Sequence, residues 1–95
     1  MRTFVLDADL GIEAASGLRD TLAPAVAARR PVAIDGSSVA RLHCASMQVL
    51  VAFAMARSAA GRSTRISDPA PILRDAARAL GMTRTLGLDT TETVQ

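Results

Sequence analysis

The chain has no tryptophan, no tyrosine and no lysine, and only one cysteine, one histidine and two phenylalanines in 95 residues. Each scarcity closes off a class of function. The single Cys44 excludes an internal disulfide and suits a reducing compartment. One histidine beside one cysteine gives no metal-ligand spacing, so neither a metal nor another cofactor is expected. The eleven cationic side chains, all arginine, scatter from Arg2 to Arg84 with Arg29–Arg30 as their one adjacent pair. With so few aromatics to stack on bases, nucleic acid is not an expected partner. Glycine-rich phosphate loops are missing, since DGSSVA fits neither the P-loop nor the dinucleotide pattern. The longest strictly apolar run, VLVAFAMA at 49–56, is far shorter than a membrane span. The opening MRTFVLDADLG turns acidic too early for a signal peptide. A cytoplasmic protein without membrane insertion is the expectation.

What remains is apolar and aliphatic. Hydrophobic residues make up 49% of the chain and the net charge is +2, a composition that folds. Residues 1–95 read as one domain, with a core over about 4–88 and a flexible tail at 90–95. A chain this short buries a thin core, built here from Leu, Val, Ile, Met and Ala.

Strand and helix signals alternate. TFVLDADL reads as a first strand. Leu18, Leu22 and Val26 recur at helical spacing, with Pro24 set to kink or divide that helix. PVAIDG at 31–36 is a buried strand closed by an Asp-Gly turn, and SSVARL is a loop with Val39 and Leu42 turned inward. A long Ala-rich helix is predicted over 45–60, with Met47, Leu50, Val51, Ala54 and Met55 toward the core, and Gln48, Arg57 and Ser58 on a polar side. Gly61 closes it. RSTRIS at 62–67 is a third strand. Asp68 and Pro69 are placed to start a last helix carrying Ile72, Leu73, Ala76, Ala77 and Leu80 on one face. This alternation predicts an α/β fold with at least part of the sheet parallel.

Few residues could carry chemistry. Asp35 ends a buried strand, a common place for sites on α/β sheets, and a turn cap is the simpler role. Cys44 sits at the predicted start of the long helix, where a helix dipole lowers a thiol pKa. Cysteine's preference for burial favours a structural thiol over a reactive one, leaving a Cys44 enzyme as a minor reading. His43 suits a helix cap or a surface position better than a base, Ser46 suits a cap, and Met47 suits the core.

The stretch from Pro31 to Met82 resembles the STAS family, the domain of anti-sigma factor antagonists, which also includes parts of sulfate transporters and the STAS subunit of a phospholipid ABC transporter. The resemblance rests on Val32 to Asp35, Val39, Leu42, the run His43-Cys44-Ala45-Ser46, the helix Met47 to Ala60, Gly61, Thr64 to Ile66, and Ile72 to Met82. LGIEAASGLRDTL is similar to the family's first helix. It implies a small mixed β-sheet with helices packed mainly on one face.

It also implies a non-catalytic, bacterial protein-interaction module in signal transduction or transcription regulation. Its partner would be a kinase-like anti-sigma factor or a chemotaxis protein. The alternative is an accessory subunit docked on a transporter ATPase. Homodimerisation is left open. The implied contact face comprises Ser37, Ser38, Arg41, His43, Cys44, Ser46, Met47 and Gln48. Regulated members carry Asp-Ser/Thr-x-Gly where this chain has His43, Cys44, Ala45 and Ser46. The phospho-acceptor position is thus Cys44, which a Ser/Thr kinase cannot modify.

Overall fold

In a computed structural model, residues 2–88 are described. The tail expected at 90–95 lies outside them. Three strands, β1 (Arg2–Val5), β3 (Val32–Asp35) and β5 (Thr64–Ser67), form a sheet of order β1-β3-β5. Two shorter strands, β2 (Asp9–Leu10) and β4 (Arg41–Leu42), pair separately. The helices are α1 (Ala15–Leu22), α2 (Cys44–Ala59) and α3 (Pro71–Ala79), and short 3₁₀ turns at Ile12–Ala14 and Ala23–Ala27 flank α1. The α/β class holds, and every described strand pairing is parallel, where a mixed sheet was expected.

The sheet is buried on one face. Register places Phe4, Ile34 and Ile66 in one row, and Ile34 and Ile66 are buried. The next row along, Thr3, Ala33 and Arg65, points the other way, with Thr3 and Arg65 exposed. The helices pack on the inner face, where Leu22, Leu50, Phe53, Leu73 and Ala77 join Val32, Ile34 and Ile66 in one core. Gly36 lets α3 come close: a Cβ there would lie 2.6 Å from Leu73 Cδ2.

Several element boundaries differ from the sequence expectation for identifiable reasons. The first strand breaks at residues 6–8, and its second part turns aside to pair with β4, a two-residue strand too short for periodicity to reveal. Pro24 ends the α-helix, and the chain tightens into a 3₁₀ turn with that proline in its first positions. Asp68 takes φ +50°, a left-handed conformation that stops a helix from starting there, so α3 begins at Pro71 with Ala70 as N-cap. Met55, Ile72 and Leu80, expected in the core, are exposed.

Arg57, expected on the polar side of α2, is fully buried at 0% exposure. Its guanidinium donates to the carbonyl oxygens of Ala25 (2.9 Å), Ala28 (2.8 Å), Arg30 (3.1 Å) and Ser63 (2.7 Å), and its Nε donates to Thr64 Oγ1 (2.9 Å). Burial, with Arg62 nearby, pulls it below the ordinary arginine value. The bonds tie the turn after α1 and the start of β5 to the last turn of α2.

Candidate functional site

The site is built at the start of α2. His43 is its N-cap, in extended conformation, and its Nδ1 accepts from Ala45 N at 3.0 Å. The cap occupies one of the helix's orphan N–H groups, the role usually filled by Ser, Thr, Asp or Asn. An Nδ1 that accepts leaves Nε2 as the donor nitrogen of a neutral ring. Cys44 is the first helical residue, free and exposed, with Sγ 3.8 Å from His43 Nδ1. A buried structural thiol was expected. The cysteine is instead turned to solvent, because the buried stripe of α2 begins two residues later.

Ser46 takes neither of the roles assigned to it. It is fully buried and its Oγ donates to Gly11 O at 3.1 Å, fastening α2 to the segment after β2. Met47 is also buried. Both therefore leave the expected contact face, because the i, i+4 pattern of α2 turns positions 46, 47 and 50 to the core. Ser37, Ser38, Arg41, His43, Cys44 and Gln48 are exposed. Gly11 N and Arg41 Nε both approach Asp9 Oδ1, at 3.0 and 3.6 Å, which orders the rim next to His43. His43 N donates to Leu10 O at 2.9 Å and continues the β2–β4 pairing into the helix cap.

Asp35 caps the turn after β3. Ser37 N and Ser37 Oγ both donate to its Oδ1, at 2.9 and 2.7 Å. The backbone bond first and the hydroxyl second hold this carboxyl below its ordinary range. The Ser37 hydroxyl is thereby held in the turn. Among the described residues, no group of three His, Cys, Asp or Glu side chains could hold a metal.

Arg57 is the residue whose role sequence reading missed. Its signal was present: position 57 continues the buried stripe 46, 50, 53 of α2 at helical spacing, and the residue type masked the pattern.

Fold and site together define a small parallel α/β domain whose longest helix opens at an exposed, capped residue pair. A family model described as "Mlab, STAS domain" matches residues 3–89, and the chain belongs to the STAS domain family. No match was found among curated proteins. No described helix is long and apolar enough to cross a membrane.

Proposed function

We propose that this chain is a non-catalytic docking module of a bacterial, cytoplasmic signalling pathway, akin to an anti-sigma factor antagonist. Its partner would be a kinase-like anti-sigma factor or a chemotaxis protein. The contact face is the loop at 37–43 with the exposed side of the first turn of α2, through Ser37, Ser38, Arg41, His43, Cys44 and Gln48. One observation carries the reading: the residue at the family's switch position, Cys44, is presented to solvent on a capped helix. The rim around it supplies hydrogen-bonding groups and a cation, a composition for recognition.

Control by phosphate is not part of the proposal. A thiol is no substrate for a Ser/Thr kinase, and the nearest helical hydroxyl, Ser46, is buried. Docking that cannot be switched at this position also suits a permanent subunit. This favours, as the second reading, an accessory role on a transporter ATPase.

The test is capture with purified candidates of each class, comparing native protein with protein alkylated at Cys44. Binding of a kinase-like anti-sigma factor or a chemotaxis protein, lost on alkylation, supports the first reading. Binding of a transporter ATPase, lost in the same way, supports the second. Binding that is indifferent to a bulky group on Cys44 overturns the contact face.

A further inference from the structure

We propose that the groove between α1 and α2 receives an α-helix of the partner protein, one with an uncharged apolar stripe flanked by a carboxylate. The proposal rests on the docking-module reading and gives the shape and charge of what docks. Among its 16 residues α2 holds one charged side chain, Arg57, and that one is buried. From Gln48 to Ala59 its exposed positions carry no charge, and Ala52, Ala56 and Ala59 among them are small. A helix that is apolar all round is one that is covered all round.

The groove lies along this helix. Leu22 and Val26 form one wall, and Val49, Ala52 and Phe53 form the other. Its only polar side chains are Arg19 and Gln48. Both walls are helical and use their peptide groups internally. An extended segment laid here would bury N–H and C=O groups with nothing to bond them, whereas a helix satisfies its own. The length of the bare face points the same way. α2 is about 24 Å long at ~1.5 Å per residue. A small molecule in the groove would leave Met55, Ala56 and Ala59 uncovered, and a helix lying along α2 would not.

Charge sets which helix. Arg19 is exposed and has no ion pair among the described residues. A carboxylate beside the incoming apolar stripe meets it, and a cation there is repelled. This selects against a second copy of the chain. The stripe this chain could itself offer, Ile72 to Leu80, lies on α3, a helix of nine residues. It carries Arg74 and Arg78 against Asp75, which Arg78 already approaches at 3.5 Å. Gln48 belongs both to the groove and to the contact face proposed above, so the two surfaces are continuous.

A display library of helical peptides, selected against the full chain, tests this. Enriched peptides are expected to carry apolar residues at i, i+4 and i+7 with Asp or Glu beside them. Ala52→Arg should weaken their binding at least about tenfold, by setting an unpaired charge in the groove. Arg19→Glu should weaken it about fivefold or more, and peptides with Lys in place of the acid should recover it. Four results would overturn the proposal. They are no enriched helical peptide, peptides that bind a folded Ala52→Arg chain as tightly as the native one, no recovery in the charge exchange, and a concentration-dependent dimer that Ala52→Arg abolishes. The last would make a second copy the occupant. Should Ala52→Arg not fold, the charge exchange decides alone. Failure of the peptide selection strikes the groove and leaves the docking reading standing, because that reading is decided by capture with protein alkylated at Cys44.

Discussion

Arg57 is itself fully buried and donates to main-chain oxygens of Ala25, Ala28, Arg30 and Ser63 and to the Thr64 hydroxyl, the Ala25 bond buried and the others part-buried. Replacing it by alanine strands several carbonyls at once. Arg57→Ala should cost about 3 kcal/mol in urea denaturation, since it leaves several carbonyls without their donor and empties the space at the end of α2. Arg57→Lys should recover little, since an ammonium cannot span carbonyls on two sides of the helix end.

His43 is a smaller case: His43→Ala removes the cap bond to Ala45 N and should cost about 1 kcal/mol, while His43→Asn or His43→Asp should retain most of it. Asp35 links stability to acid. Its folded pKa lies below the unfolded one, so its contribution is present above the unfolded carboxyl range and is lost as pH falls through the folded value. Melting temperature followed downward from about pH 4 should therefore fall more steeply for the native chain than for Asp35→Asn.

At the scale of elements, legibility followed length. The spacing of Leu50, Phe53, Ala54 and Arg57 marks the buried stripe of α2, and the helix starts within a residue of its predicted position. The same periodicity in α3 puts Leu73 and Ala77 in the core, but a stripe wide enough to hold Ile72 and Leu80 as well does not exist on so short a helix. Strand β4 has two residues, and its pairing depends on where β2 lies in space, which local pattern cannot state. The exposure of Cys44 and the burial of Ser46 are a similar case. Residue preferences pointed the other way in both, and the phase of the helix decided.

The C-terminal segment offers a test at this scale. Gly87 has φ +73°, and a Cβ there would lie 2.8 Å from both Arg65 Cα and Thr64 O. Gly87→Ala should loosen this segment from β5 and cost about 1–3 kcal/mol, read by urea denaturation.

The whole molecule is a sheet with one dressed side. Leu, Ile and Val from the strands meet α1, α2 and α3 on the inner face, and the outer face keeps Thr3 and Arg65 in solvent. The sequence alternation anticipated this, because the β5 run sets Ile66 between Arg65 and Ser67. The overall class was therefore readable from the alternation of elements. The strand order was not, since it depends on pairing between segments far apart in the sequence.

The way Arg57 binds has a consequence for how this sequence can drift. The guanidinium reads carbonyl positions and, apart from Thr64, takes no account of which side chain sits there. A saturation library scored for folding should then show position 57 closed to nearly every substitution. Arg30 and Ser63, exposed and contributing only main-chain oxygens, should accept most residues other than proline. One side chain would carry a constraint that leaves its partners' identities free to vary.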